Sequence, residues 1–260
     1  MLFKIYAGID VSKLTLDVFI RETNTHKQFK NNSNGFDLLV QWLEKQTKKP
    51  LESALVCFEH TGLYSLPLAL FLEERKIPFS MIPALEIKRS LGITRGKNDF
   101  IDSKRIADFA YRFRDKIIRT KLPVKDIRKI HSLLTLRERL VTNLSGYTVS
   151  QNETLGTMRK EDFPELFATY QSMIDVLKEE IKKLEKDISE IIQENEQLKT
   201  SFKLLTSVKG IGFIVAACLI VYTHNFTRFD NWRKFACYCG IAPFDCQSGT
   251  SVRGKHRLVP

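Results

Sequence analysis

The feature that most restricts the fold is the alternation of short apolar strands and amphipathic helices in the first third of the chain. The segments IYAGIDVS, LTLDVFI and HKQFKN predict three successive strands, and a helix follows from about Gly35 to Lys48. SALVCFE then predicts a buried strand, LYSLPLALFLEERK a helix, IPFSMI a further strand, and the stretch from Gly92 to Phe113 one long helix. Three strands followed by alternating helices and strands predict an α/β domain with a mixed sheet.

The chain is strongly basic, and most of its excess charge is in one region. It contains 41 Lys and Arg against 30 Asp and Glu, and the residues from Lys88 to Arg139 account for +10 of the formal charge of +11. Such a surface favours nucleic acid, because Lys and Arg displace the counterions condensed on it. A signal peptide and an apolar run of membrane-spanning length are both absent, so we expect a cytoplasmic protein that binds no membrane.

The segment from Phe163 to Ser201 has the repeat of a coiled coil. Its apolar residues recur in steps of mostly three and four: Ile174, Leu177, Ile181, Leu184, Ile188, Ile191 and Leu198. Asn195 stands where the next residue of the seam belongs, and a single Asn there fixes the register of paired helices. We expect a coiled coil within or between chains, the simplest partner being a second copy of the chain. The alternative is a long amphipathic helix that packs on its own domain.

A tight glycine turn begins the last sixty residues. In LLTSVKGIGFIVAACLIVY, Gly210 and Gly212 precede an apolar helix, and the stretch resembles the helix-hairpin-helix motif that binds DNA. A turn of this kind presents backbone N–H groups and a helix N-terminus to a phosphate. The alternative is that glycine permits close packing of two helices.

Four acidic residues stand at chemically suggestive places in the basic N-terminal part. Asp10 and Glu59 end two predicted strands, and Asp99 and Asp102 share one face of a predicted helix because they are three residues apart. Each acid alone reads as a helix cap or surface charge, and Lys97, Lys104 and Arg105 are available to compensate the helical pair. Together, the four acids fit a two-metal site for phosphoryl transfer, with Mg²⁺ or Mn²⁺ as the ions that carboxylates prefer.

The same residues resemble a known family. GIDVSKLTLDV, FEHTGLY and RGKNDFIDSKRIADFA are similar to the three acidic motifs of the DEDD insertion-sequence transposases, whose relatives include pilin-gene invertases and bridge-RNA-guided recombinases. The resemblance implies an RNase H or RuvC-like N-terminal domain with Asp10, Glu59, Asp99 and Asp102 as its metal-binding tetrad. It also implies DNA as the substrate and, as a further partner, a structured non-coding RNA that the basic region would bind through its phosphates.

The C-terminal stretch FACYCGIAPFDCQSGTSVRGKHRLVP resembles the second half of that family, in which a serine beside a glycine is the nucleophile on DNA. Ser248 matches that serine best and Ser251 is the fallback, with Arg253, Lys255 and Arg257 as candidate phosphate-binding cations. Because family members continue past this segment with more helices, the end of the chain at Pro260 predicts a truncated serine domain.

These features predict three parts: a metal-binding domain over residues 1–120, basic helices and a coiled coil over 121–200, and a small, mostly helical serine domain over 201–260. The expected activity is DNA transposition or recombination through a phosphoserine intermediate, performed by a homodimer or homotetramer. Two alternatives stay open, a metal-dependent RNase H-like nuclease or resolvase that uses water, and a non-catalytic protein that binds nucleic acid.

Overall fold

The computed structural model describes residues 3–90, 98–244, 247–248, 252–253 and 257–258, with side chains up to residue 242. The chain divides into two compact units, Met1–Leu122 and Pro123–Pro260. The further division of the second unit near residue 200 stays a prediction.

Unit 1 is built on a mixed sheet of five strands in the order β3-β2-β1-β4-β5. Its strands are β1 (Ile5–Val11), β2 (Thr15–Ile20), β3 (Thr25–Lys30), β4 (Ala54–Glu59) and β5 (Phe79–Ile82). The first three form an antiparallel meander, whereas β4 runs parallel to both β1 and β5. This order and these directions confirm the predicted mixed α/β sheet and its RNase H-like arrangement.

Helices cover both faces of this sheet. They are α1 (Ser33–Thr47), α2 (Leu66–Glu74), α3 (Ala84–Ser90) and α4 (Asp99–Arg112). Because side chains alternate along a strand, the odd-numbered residues of β1, such as Ile5 and Ile9, share a core with α1 and α2. Tyr6, on the opposite face, shares a second core with α3 and α4.

Helix α4 lies directly on β1 at Gly8. A Cβ added to Gly8 would stand 2.2 Å from the carbonyl oxygen of Ser103 and 2.3 Å from the backbone nitrogen of Ala107. Only glycine therefore permits this approach. Helix α4 begins at Asp99, so the prediction of one continuous helix from Gly92 was wrong. Asn98 is extended and its side chain accepts a hydrogen bond from the Ile101 N–H at 2.7 Å, which makes it the N-cap.

Unit 2 is organised around an antiparallel helical hairpin. Its two long helices are α5 (Lys125–Thr157) and α6 (Pro164–Glu194). Contacts between them include the ion pair of Arg137 with Glu185 at 2.7 Å and the hydrogen bond from Gln151 to Gln171 at 3.4 Å. Apolar residues of the predicted seam, among them Ile174 and Ile188, are buried in the chain. The seam therefore serves an intramolecular pair of helices.

The interpretation of Asn195 as a polar residue of a continuous seam was wrong. Asn195 has φ −107° and ψ 109°, and it separates α6 from α7 (Glu196–Thr206). Its side-chain oxygen accepts hydrogen bonds from the N–H groups of Gln197 and Leu198, and its amide donates to Asp126 at 3.0 Å. An Asn side chain caps a helix start well because it satisfies N–H groups that lack helical partners.

Replacing Asn195 by isoleucine distinguishes a cap from a seam position. We expect Asn195→Ile to lower the free energy of unfolding by about 1–2 kcal/mol, because the cap and the bond to Asp126 are both lost. At a seam position the same change would raise stability. Urea unfolding followed by circular dichroism at 222 nm measures the effect. Asn195→Asp keeps the cap acceptor and is expected to lose less; an Asn195→Ile variant more stable than the wild type would contradict the cap.

The rest of unit 2 contains α8 (Phe213–Tyr222), α9 (Trp232–Tyr238) and short strands. The strands are β6 (Pro243–Phe244), β7 (Gln247–Ser248), β8 (Val252–Arg253) and β9 (Arg257–Leu258). β6 pairs with β9 and β7 with β8, both antiparallel. The predicted helical character thus holds up to α9, whereas the stretch with the proposed serine contains paired strands. In the described part of the chain, no helix is long and apolar enough to cross a membrane.

Candidate active site

Asp10 and Glu59 are brought together by the parallel pairing of β1 and β4. The ladder between these strands runs to Ile9 and Phe58, so Asp10 and Glu59 are the next residues along neighbouring strands. Both belong to the face that α4 covers, since Asp10 alternates with Gly8 and Glu59 with Cys57. Each side chain is half-buried. Two carboxylates therefore lie side by side at the carboxyl edge of the sheet.

Asp99 and Asp102 occupy the first turn of α4. The uncompensated N–H groups of a helix start favour negative charge, so the two carboxylates are locally stabilised there. Asp102 also forms an ion pair with Arg105 at 2.8 Å, in agreement with the prediction that Arg105 is available to compensate the helical acids. Lys104 does not share that role in this structure; it is exposed and its ammonium lies 5.6 Å from the centre of the Phe19 ring. Lys97 lies outside the described residues.

The charges of the other three predicted acids act on the carboxyl group of Asp10. The pKa of Asp10 is raised to about 6, first by burial, then by the negative charges of Asp102, Asp99, Asp17 and Glu59. Residues from two strands and one helix are therefore close enough in space to disfavour the charge on a single carboxylate. The geometric support for treating the four predicted acids as one site is the neighbouring position of Asp10 and Glu59 and the packing of α4 on β1.

Asp17 contributes to this field but is committed to other partners. It lies opposite Asp10 across the β1–β2 pair and is 5% exposed. His26 Nε2 lies 3.0 Å from one carboxylate oxygen, and the Gln28 amide donates to the other at 2.9 Å. The His26 ring in turn meets the edge of Phe100 in α4, with centroids 5.0 Å apart. Asp17 thus ties the meander to the first turn of α4, a role that the sequence pattern did not reveal.

The four acids offer the oxygen donors that a divalent cation prefers, but they are not arranged as a complete set of metal ligands. Carboxylate oxygens are the donors that Mg²⁺ and Mn²⁺ prefer, and the raised pKa of Asp10 reflects negative charge that a cation would compensate. Among the side chains that the structure describes, no three Asp, Glu, His or Cys residues are arranged as ligands of one ion. The donor type of the acids therefore fits a cation, whereas their arrangement among the described residues does not complete a ligand set.

The turn after Glu59 adds an exposed apolar edge beside the acids. Leu63 and Tyr64 are 84% and 46% exposed, and Leu14 at the β1–β2 turn is 73% exposed. The Asn31 amide connects the two turns by donating to the carbonyls of Ser12 at 2.8 Å and Tyr64 at 3.0 Å. Sequence reasoning missed this edge, because Asn31 looks like an ordinary loop residue.

The proposed nucleophile lies in unit 2. The backbone of Ser248 is in β7, where it pairs with Val252 of β8. Its side chain and that of Arg253 are outside the described part, as are Ser251 and Lys255 entirely and the side chain of Arg257. The strand pairing places Ser248 in a short β-ribbon.

The predicted glycine turn lies before α8. Gly210 has φ +95°, a conformation that favours glycine, and Gly212 caps α8 without a side-chain hydrogen bond. A Cβ added to either glycine would meet no atom within 4 Å, so close helix packing does not explain these residues. The start of α8 has no side-chain cap hydrogen bond, and its resemblance to a helix-hairpin-helix motif stays a prediction.

Two family models match the chain over most of its length. The model of the IS110-type DEDD transposases, described as a transposase, matches residues 7–156, which include all four acids. The model described as the transposase IS116/IS110/IS902 family matches residues 202–260, which include Ser248 and the glycine turn.

Similar proteins agree with these matches. The pilin gene-inverting proteins of Moraxella lacunata and Moraxella bovis are each 28% identical over 260 residues, covering 98% of this chain and 77% of theirs. The transposase for insertion sequence element IS1533 of Leptospira borgpetersenii is 23% identical over 258 residues, covering 88% of this chain and 72% of its own. The chain therefore belongs to the IS110 family of DEDD transposases, a family of enzymes that act on DNA.

Proposed function

We propose that this protein cuts and rejoins DNA through a covalent phosphoserine intermediate, with Ser248 as nucleophile and Asp10, Glu59, Asp99 and Asp102 as holders of divalent cations. The observation that carries the proposal is the side-by-side position of Asp10 and Glu59 at the ends of β1 and β4, with α4, which bears Asp99 and Asp102, packed on β1 at Gly8. The match of the second family model across Ser248 supports the serine. The Moraxella relatives, named for inverting a pilin gene, support rearrangement of DNA as the outcome.

The proposed chemistry is a reversible exchange at phosphorus. The hydroxyl oxygen of Ser248 attacks a backbone phosphate, and its proton passes to solvent or to a carboxylate of the site. A bond forms between serine and phosphorus while the bond to the 3′-oxygen breaks, which releases a 3′-hydroxyl. A 3′-hydroxyl of another strand then attacks the phosphoserine, restoring both the serine and a phosphodiester. The energy of the original bond is kept, so rejoining requires no nucleotide cofactor.

The four acids hold the cations in this proposal. Bound Mg²⁺ or Mn²⁺ supplies positive charge for the phosphate oxygens and lowers the pKa of an attacking hydroxyl. Asp10 and Glu59 contribute from the sheet edge, and Asp99 and Asp102 from α4. Arg105, which pairs with Asp102, is placed to hold that carboxylate or to contact the DNA backbone.

Basic and glycine-rich features would bind the DNA. Lys97, Lys104 and Arg105 follow or flank the acids, whereas Arg253 and Lys255 flank the serine. Gly210 and Gly212 would present the start of α8 to a phosphate of the duplex. The basic side chains would attract the phosphate backbone. Metal ions bound by the acids would offset the repulsion between the carboxylates and phosphate, so acids and basic residues serve the same surface.

Strand exchange requires more than one protomer, and we propose a homodimer or homotetramer. The hairpin of α5 and α6 exposes apolar side chains that a second copy would cover, among them Val149, Met173 and Val176, at 51%, 38% and 52% exposure. The acids of one protomer would then meet the serine of the same or another protomer. A structured non-coding RNA that selects the DNA by base pairing remains part of the proposal, on the family resemblance and the basic charge alone.

A trapping assay tests the proposed function. The protein is incubated with DNA of its own element ends, the flanking non-coding RNA and Mg²⁺, then denatured and examined for protein-linked DNA. We expect an adduct that disappears in EDTA and in Ser248→Ala but persists in the matched variant Ser251→Ala. An adduct in Ser251→Ala but not in Ser248→Ala would therefore identify the nucleophile.

Other outcomes reject the proposal in different ways. Cut DNA without an adduct, unchanged in Ser248→Ala, would indicate a metal-dependent nuclease that uses water. Binding without any cleavage would indicate a protein that only binds nucleic acid, and the steep salt dependence of that binding would measure its phosphate contacts.

A further inference from the structure

A second concave site lies on unit 1, near the end of α4 that is opposite to Asp99 and Asp102. It is a cavity of about 570 Å³ formed by β5, α3, the last turns of α4 and the segment that follows α4. A helix rises about 1.5 Å per residue, so some 20 Å of α4 separate its two ends. The cavity also reaches Ile82, which pairs with Glu59 in the β4–β5 ladder, so it adjoins the acidic site on that side. Its size is in the range of small-molecule pockets.

The interior of this cavity offers an aromatic surface. Phe109 and Phe113 line it, with ring centroids 4.7 Å apart and planes at 36°. Phe109 is 6% exposed and belongs to the core, whereas Phe113 is only half-buried. An accessible aromatic ring in an apolar recess is a suitable stacking partner for a nucleobase, which has an apolar face whatever its sequence.

Charged side chains from separate elements line the same cavity. Arg89 of α3 and Lys116 after α4 are exposed, line the cavity, and have no acid partner among the described residues. Two unpaired cations beside an apolar recess favour an anionic ligand with an aromatic part. Glu86 of α3 also lines the cavity, and its carboxylate would accept a hydrogen bond from the exocyclic amine of cytosine or adenine.

We infer that this cavity binds one unpaired nucleotide of a nucleic-acid strand. The base stacks on Phe113, and Arg89 and Lys116 hold the phosphates on either side. The inference rests on the proposed function only in taking nucleic acid as the partner, since it needs neither the metal nor Ser248. DNA and RNA share the chemistry that the cavity recognises, and the experiment distinguishes them.

The electrostatic part is tested with a matched pair of double variants. Fluorescence anisotropy in EDTA measures the binding of labelled 20-nucleotide oligodeoxycytidylate and oligocytidylate to the full chain. Arg89→Glu with Lys116→Glu removes the cations of the cavity. Lys88→Glu with Arg112→Glu makes the same change in net charge at exposed residues that do not line it. We expect the first variant to lose at least tenfold more affinity than the second. Equal losses would mean diffuse attraction alone and overturn the inference.

The stacking part is tested at Phe113. Phe113→Leu keeps apolar bulk without the ring, and we expect it to weaken oligonucleotide binding by about 5- to 100-fold, the range of one lost base–aromatic contact. Phe113→Tyr should bind as the wild type does. Oligonucleotides carrying 5-iodocytosine should photocrosslink to Phe113 in the wild type, as mapped by mass spectrometry.

Each remaining outcome decides the inference. Tighter binding of the ribo- or the deoxyribo-oligonucleotide assigns the cavity to RNA or to DNA, and either supports it. Wild-type affinity in Phe113→Leu, or no binding of either oligonucleotide, overturns it. These binding measurements are made in EDTA and do not depend on metal. If the trapping assay fails while binding still depends on the cavity, only the proposed recombination is rejected.

Discussion

Replacing Asp10 by asparagine is expected to reduce strand cleavage and adduct formation by about 10³-fold while making the folded protein more stable at neutral pH. The loss of activity follows from removing one cation ligand, since electrostatic stabilisation at a phosphoryl-transfer site is worth several kcal/mol. The trapping assay measures this loss. Asp17→Asn is the matched control, because Asp17 lies directly opposite on β2 and is bound by His26 and Gln28. We expect that control to retain activity within about tenfold.

The gain in stability follows from the raised pKa of Asp10. The carboxyl has a pKa of about 6 in the folded chain against an ordinary value of 3.8, so the folded state binds the proton more tightly than the unfolded state. Stability contributed by this group therefore falls as the pH rises from about 4 through 6, and the full penalty applies above that. This penalty lowers the free energy of unfolding by something on the order of 2 kcal/mol.

Asparagine carries no charge and avoids this penalty. We expect Asp10→Asn to unfold at higher urea concentration than the wild type at pH 7.5 and at nearly the same concentration below pH 4. Millimolar Mg²⁺ should stabilise the wild type and have less effect on the variant, because the cation compensates the charge that the variant lacks. A variant less stable than the wild type at pH 7.5 would mean that the carboxylate of Asp10 has a structural role.

Replacing Gly8 by alanine is expected to destabilise unit 1 by about 3 kcal/mol or more and to abolish activity with it. The added Cβ would stand 2.2 Å from Ser103 O, 2.3 Å from Ala107 N and 2.9 Å from Ala107 Cα. All three atoms belong to the α4 backbone, so no side-chain rotation relieves the clash and the helix itself must move. Since α4 carries Asp99 and Asp102, its displacement also disturbs the acidic site.

The chain provides a matched control and a local probe for this prediction. Gly146 lies inside α5, where an added Cβ meets nothing within 4 Å, so Gly146→Ala should stabilise unit 2 by roughly 0.5–1 kcal/mol. Trp42 packs against the core of unit 1, and its fluorescence during urea unfolding reports on that unit when Trp232 of unit 2 is replaced by phenylalanine. If Gly8→Ala unfolds at the same urea concentration as the wild type, α4 does not pack on β1 as closely as described.

The elements of unit 1 were largely predictable because their signals are local. The apolar runs of β1, β2 and β4 and the apolar helix α2 each determine their own structure over a few residues. The start of α4 was placed too early, because basic residues and glycines before Asn98 show no periodicity that contradicts a helix. Only the observed hydrogen bond from Ile101 to Asn98 identified the cap.

Asn195 illustrates the same limit in unit 2. Its spacing from Ile188 and Ile191 fits a heptad, and spacing alone does not distinguish a polar seam residue from a helix cap. Its pairing with Asp126, 69 positions earlier in the chain, depends on how the hairpin closes.

By itself, the sequence determined the element types of the N-terminal sheet and the basic character of the chain, and it predicted the four acids through motifs that resemble those of the family. The tertiary structure decided that α4 lies on Gly8, that Asp10 is electrostatically coupled to Asp102, Asp99, Asp17 and Glu59, and that Asp17 has its own hydrogen-bond partners. It also decided that Phe113, Arg89 and Lys116 border one cavity. The physical reason is range: propensity and periodicity act between near neighbours in the chain, whereas burial, pKa and cavities depend on residues that only folding brings together.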